Sequence, residues 1–126
     1  MSVMNGHREA VGSAREMAGD YANAGDLLFG MVDADPRVGE ALLLLEEGGQ
    51  ECIDLMLTAP DRPEEWLPAL FLGGLKLHTQ VAPLLTELQR GGGLTANQQS
   101  QLAMARMWLD LAKVGVEGYL EGGEWE

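Results

Sequence analysis

Apolar positions recur along most of this chain at helical intervals. Val38, Ala41, Leu42 and Leu45 fall at i, i+3, i+4 and i+7, which is one face of a helix. Leu102, Ala105, Leu109, Ala112, Val116 and Tyr119 alternate steps of three and four, the cleanest amphipathic pattern present. Met104, Met107, Trp108 and Leu111 widen that pattern beyond a single seam. Between residues 64 and 89 the apolar content is almost continuous, and only Gly73, Lys76, Gln80 and Glu87 make a thin polar stripe. A helix apolar nearly all round belongs at the centre of a bundle or in an interface. The first segment differs in kind. Ala10, Ala14, Ala18 and Ala22 repeat at every fourth residue, with Gly12, Gly19, Gly25 and Gly30 close by. This small-residue stripe is expected to face a closely packed neighbour, and bulk returns with Leu27, Leu28, Phe29, Met31 and Val32. No window alternates with the period of a strand.

The breaks between these patterns carry their own signals. Asp33-Ala34-Asp35-Pro36 reads as a stop followed by a restart, with Asp35 as N-cap and Pro36 in the first helical position. Gly48-Gly49 is compatible with a kink or with a break. Pro60 biases Ala59 away from helical geometry and closes the second segment. Asp61-Arg62-Pro63-Glu64 resembles another N-terminus, and Pro83 is expected to kink the helix it lies in near residues 79–83. Gly91-Gly92-Gly93 is the clearest boundary. It is followed by Thr95-Ala96-Asn97-Gln98, a capping box. Gly122-Gly123 closes the last helix and leaves Glu124-Trp125-Glu126 as a mobile end. The predicted architecture is one all-α domain over 1–126, with helices near 7–32, 36–58, 64–89 and 96–121. Short connections favour a small antiparallel bundle, open to completion by oligomerisation.

Size and composition narrow the function classes. A chain of 126 residues and 13.6 kDa buries about two thirds of its unfolded surface on folding, enough for one core and not two. Its 46% hydrophobic content excludes a disordered acidic tail. Twenty acids against eight bases give a formal charge of −12, which argues against direct nucleic-acid binding and against an anionic membrane surface. Residues 1–30 are interrupted by Arg8, Glu9, Arg15, Glu16, Asp20 and Asp26, so no signal segment is expected there. The stretch from Leu67 to Leu85 has Lys76 and His78 near its middle and reads as a buried helix rather than a membrane span. The lone Cys52 suits a reducing compartment, and a cytoplasmic location is expected.

Candidate chemistry is thin. Cys52, His7 and His78 lack the paired spacing of a zinc site. Asp33 and Asp35 begin like a calcium loop, but Arg37, Val38 and Leu44 stand where an oxygen ligand, a glycine and a closing glutamate belong. Serine occurs at Ser2, Ser13 and Ser100 with no nucleophile elbow. Cys52 with His78 is the one conceivable thiol–imidazole pair, set against the plainer expectation that Cys52 is a small buried hydrophobe. The doublets Glu46-Glu47 and Glu64-Glu65 diverge on a helix, and Glu64-Glu65 and Glu46-Glu47 are therefore poor acid–base pairs. Of the methionines, Met31, Met56, Met104 and Met107 are more readily core fillers than an adaptable binding surface. No cofactor, metal or catalytic residue is expected.

The placement of charge is the informative feature. Residues 1–65 hold fourteen acids and four bases, a net of −10, whereas residues 66–113 hold two acids and four bases. The acidity has two readings, a solvated face that keeps a small protein soluble and a surface that meets a basic partner. The expected function is a non-enzymatic interaction module, such as an inhibitor, an assembly chaperone or a small complex subunit. Its carboxylates would engage a basic partner surface, including that of a nucleic-acid-binding protein whose groove they fill in place of phosphates. The candidate contacts are Asp33, Asp35, Glu40, Glu46, Glu47, Glu51 and Asp54. The alternative is a homo-oligomer enclosing a small-molecule pocket lined by Trp66, Phe71 and Trp108.

Overall fold

A computed structural model describes residues 3–91 and 93–122, and side chains from 9 to 121 apart from residue 92. Four α-helices make up the fold: α1 (Val3–Phe29), α2 (Pro36–Thr58), α3 (Leu67–Arg90) and α4 (Ala96–Gly122), with a 3-10 turn at Pro63–Glu65. No strand occurs among the described residues. The expected mobile end, Glu124-Trp125-Glu126, lies outside them. Each helix packs on its neighbours in sequence, and α4 closes the ring against α1, while α1 and α3 face each other across the diagonal. Neighbours run antiparallel. Gly25 of α1 meets Leu42 of α2, Gly39 of α2 meets Val32 in the connection between them, and Gly48 of α2 meets Leu77 of α3. Arg106 donates to Gln89 Oε1 at one end of the α3–α4 seam, and Gly74 meets Val116 towards the other.

The buried stripe of α1 is Ala10, Ala14, Met17, Tyr21, Ala24 and Leu28, with Met31 continuing it beyond the helix. Its steps are four, three, four, three, four and three, the spacing that keeps one seam facing a bundle partner. This corrects the expected alanine stripe. A step of four turns about 40° too far on a helix of 3.6 residues per turn. Ala10 and Ala14 therefore enter the core, whereas Ala18 is half-buried and Ala22 exposed.

α1 ends at Phe29, earlier than the expected residue 32. From Gly30 the chain tightens into turns, with Met31 N donating to Leu28 O at 3.0 Å and Ala34 N to Met31 O at 3.0 Å. The restart is as expected. Asp35 is extended, its Oδ1 accepts from Arg37 N at 2.9 Å, and Pro36 opens α2.

α2 runs unbroken through Gly48-Gly49. A Cβ on Gly48 would lie 2.6 Å from Leu77 Cδ2, so the glycine leaves the space that the Leu77 side chain of α3 occupies. After α2 the third expected helix divides. Asp61 forms no cap. Arg62 occupies that position before the 3-10 turn without a side-chain capping bond, and its guanidinium pairs with Glu65 at 3.0 Å. A helix starting at 64 would put the Pro68 ring against the carbonyl of Glu64, so Pro68 fits only in the first turn of a helix beginning later. α3 accordingly starts at Leu67. Buried Trp66 pins the connection, its Nε1 donating to Ala59 O at 2.9 Å.

α3 is a corner of the bundle, not its centre. Leu67, Leu70, Phe71, Gly74, Leu77, His78, Val81, Leu85 and Leu88 are buried, but Leu72 and Leu75 face solvent beside the expected polar stripe. The helix continues past Pro83 to Arg90. The capping box of α4 is formed reciprocally. Thr95 N donates to Gln98 Oε1 at 2.9 Å, and Gln98 N donates to Thr95 Oγ1 at 3.1 Å. Leu102, Ala105, Leu109, Ala112 and Val116 are buried, and Tyr119 stacks on Phe71 with ring centroids 4.3 Å apart. Met31 fills the core as expected, but Met104 and Met107 do not. With Leu111 and Val114 they form a second, exposed stripe, two residues out of phase with the buried one and so on the opposite side of α4.

Candidate interaction surface

The bundle order sets the two acidic helices, α1 and α2, side by side. Of the candidate contacts, Asp33, Glu40, Glu46, Glu47, Glu51 and Asp54 are exposed. They do not form one cluster. Helical spacing places Glu40, Glu47, Glu51 and Asp54 together on the side of α2 turned away from the core. Asp54 accepts from Gln50 Nε2 at 2.9 Å. Glu46 lies on the α1 side of the same helix. Asp33 belongs to the connection before it.

Asp35 is already engaged. Besides capping α2, its two oxygens accept from Arg37 Nε and Nη2 at 3.0 and 2.8 Å. These bonds hold its carboxyl down at about 2. Arg37 also reaches Glu87 of α3 at 3.6 Å.

Between α1 and α2 runs a groove of about 370 Å³. Its floor is Tyr21, Leu42 and Leu45, and Ala18, Ala22, Gly25 and Gly49 keep it open. Phe29 (67% exposed) stands near the α1–α2 connection, and Ile53 (43% exposed) about three turns away along α2. The charged side chains that line it, Asp26 and Glu46, are both acidic. Glu46 was thus placed by the sequence on a surface that Asp26, Phe29 and Ile53 share. The sequence offers a signal for the α1 wall alone, the four-residue alanine repeat: because it precesses out of a 3.5-residue seam, its later members Ala18 and Ala22 line a surface beside that seam.

The interior offers little to catalysis. His78 is buried and joined to the Tyr21 hydroxyl through Nε2 at 3.1 Å. Burial, and then Lys113, push His78 below the ordinary histidine range, against the opposing pull of Asp110 and Glu117. The Tyr21 hydroxyl is pushed up, chiefly by burial. At His78 the unfolded chain therefore binds a proton more readily than the folded one, and the stability this group contributes drains away as pH falls below about 6.5. Melting curves of the wild type and His78→Gln across pH 8 to 5 check this. The wild type is expected to lose ground relative to the variant on acidification, and a constant difference would contradict it.

Burial, with Glu51 contributing, pushes the Cys52 thiol up to about 11. A thiolate nucleophile needs the opposite shift. At mildly alkaline pH the native protein is expected to react with a disulfide reagent roughly a hundredfold more slowly than the denatured chain. Equal rates would place Cys52 at the surface. Among the described residues, no group of three or more His, Cys, Asp or Glu is arranged to hold a metal ion, and no helix is long and apolar enough to cross a membrane. Trp66 and Phe71 are committed to the core, and Trp108 is half-buried.

No protein-family model, curated protein or solved structure matches the chain.

Proposed function

We propose that the protein is a non-enzymatic interaction module whose acidic α1–α2 side engages a basic surface on a partner protein, as an inhibitor, an assembly chaperone or a complex subunit. The observation that carries this reading is the adjacency of two helices that hold nine of the twenty acids, with Asp26 and Glu46 lining an apolar groove between them and Glu40, Glu47, Glu51 and Asp54 exposed on the outer side of α2. Complementary charge of this kind accelerates encounter and fixes register, while desolvated apolar contacts slow dissociation. Nucleic-acid-binding proteins are one class of partner with the required basic surface. The test is capture from cells that make the protein, using the wild type and a Glu40→Gln/Glu47→Gln/Glu51→Gln/Asp54→Asn variant. A partner held by the wild type, released by salt and lost by the variant is the expected result. An identical set of partners on both baits would overturn the reading.

A second reading, self-association, is favoured by the outer stripe of α4, Met104, Met107, Leu111 and Val114. Their three–four–three spacing is that of a helix seam without a partner in the bundle. It calls for a native mass above that of one chain, reduced by Leu111→Glu; a monomer at all concentrations would exclude it.

A further inference from the structure

We propose that the groove between α1 and α2 receives an amphipathic helix of the partner, apolar on one face and flanked by Lys or Arg, an inference that rests on the acidic-surface reading above. The shape points to a helix. The groove spans residues 18–29 of α1 and 42–53 of α2, roughly 16 Å or three turns at 1.5 Å per residue. That length matches anchors at i, i+3 or i+4, and i+7 of an incoming helix. Both walls are helices with their backbone groups internally bonded, so an extended peptide would find no strand edge to pair with. A helix brings its own backbone bonds already made.

The lining selects the incoming residues. Ala18, Ala22 and Gly25 of α1 and Gly49 of α2 withdraw side-chain bulk from the line of contact, and a Cβ on Gly49 would meet nothing within 4 Å. Large apolar side chains from the partner would fill that space and touch Tyr21, Leu42 and Leu45. Phe29 and Ile53 would cover them from opposite ends. Asp26 of α1 and Glu46 of α2 supply negative charge on the two walls of the groove, so flanking bases on the incoming helix find complements. A small molecule is a poorer fit. Sites for small ligands enclose most of the ligand surface and converge a few polar groups upon it. Here the walls are themselves largely solvent-exposed.

The probe is a labelled Leu/Lys peptide of about four turns, with leucines on one face. Its controls are the same composition scrambled off that face and a Leu/Glu counterpart. Binding is followed by fluorescence anisotropy and by amide shifts of the protein. The wild type is expected to bind the Leu/Lys helix at least tenfold more tightly than either control, with shifts centred on Ala22, Gly25 and Gly49. Gly49→Leu fills the groove where there is room for it and is expected to weaken binding at least tenfold without lowering the melting temperature. Asp26→Asn/Glu46→Gln is expected to weaken binding at low salt and to converge with the wild type at high salt. Equal binding of the scrambled peptide, or no effect of Gly49→Leu, overturns the groove proposal. If Gly49→Leu binds normally while the Glu40/Glu47/Glu51/Asp54 variant does not, the acidic-surface reading survives and the groove does not. If neither variant matters, both fall. Concentration-dependent self-association abolished by Gly49→Leu would make a second copy the occupant and also overturn the proposal.

Discussion

Phe71→Ala is expected to cost about 3–5 kcal/mol, close to the whole stability of a small domain. Phe71 is completely buried on α3 and stacks against Tyr119 of α4, ring planes 13° apart. Removing it opens a cavity and strips one face of Tyr119 at the same time. Relaxation can recover little, because the backbone of each helix is held by neighbours on two sides. Denaturant unfolding of the variant checks the value. A loss below about 1 kcal/mol would mean that α3 and α4 are not in the contact described.

Ala14→Leu and Ala18→Leu are expected to part company, although both alanines belong to one sequence repeat. Ala14 is fully buried, and the added bulk is expected to destabilise by about 1–3 kcal/mol through overpacking. Ala18 borders the open groove, so leucine there is expected to change stability by less than about 0.5 kcal/mol. Paired urea titrations decide between the two registers of α1. Equal destabilisation would restore the four-residue stripe as the packed face, whereas the order above supports a 3.5-residue seam.

Signals that act within a few residues were legible in the sequence. Asp35 and the Thr95–Gln98 box begin helices through bonds to nearby backbone, and Pro60 ends one by keeping Ala59 out of helical geometry; the structure contains all three. The inner stripe of α4 was legible for the same reason, since periodicity is a property of one helix. What needed two helices was not. Gly48-Gly49 is compatible with a kink or a break until Leu77 of α3 is placed against Gly48. Met104 and Met107 look like core because methionine generally is, and their outward position follows only once Leu102, Ala105 and Leu109 have taken the inward face. The groove is hidden for a related reason. Its residues come from two helices, and nothing within either helix marks Asp26, Phe29 and Ile53 as sharing one surface, whereas the carboxylates of α2 are conspicuous in the sequence itself. Pro68 is the exception, a local signal overshadowed by the apparent cap at Asp61-Arg62-Pro63.

The acidic side could serve solubility alone or recognition, and the two differ in how a bound partner responds to salt. The decisive measurement is the affinity of the wild-type protein for the Leu/Lys helix between about 0.1 M and 1 M salt, over which the screening length falls from about 10 Å to about 3 Å. Recognition through Asp26, Glu46 and the outer carboxylates of α2 requires at least a tenfold weakening, largely absent when those groups are neutralised. An affinity that stays level across that range would contradict it.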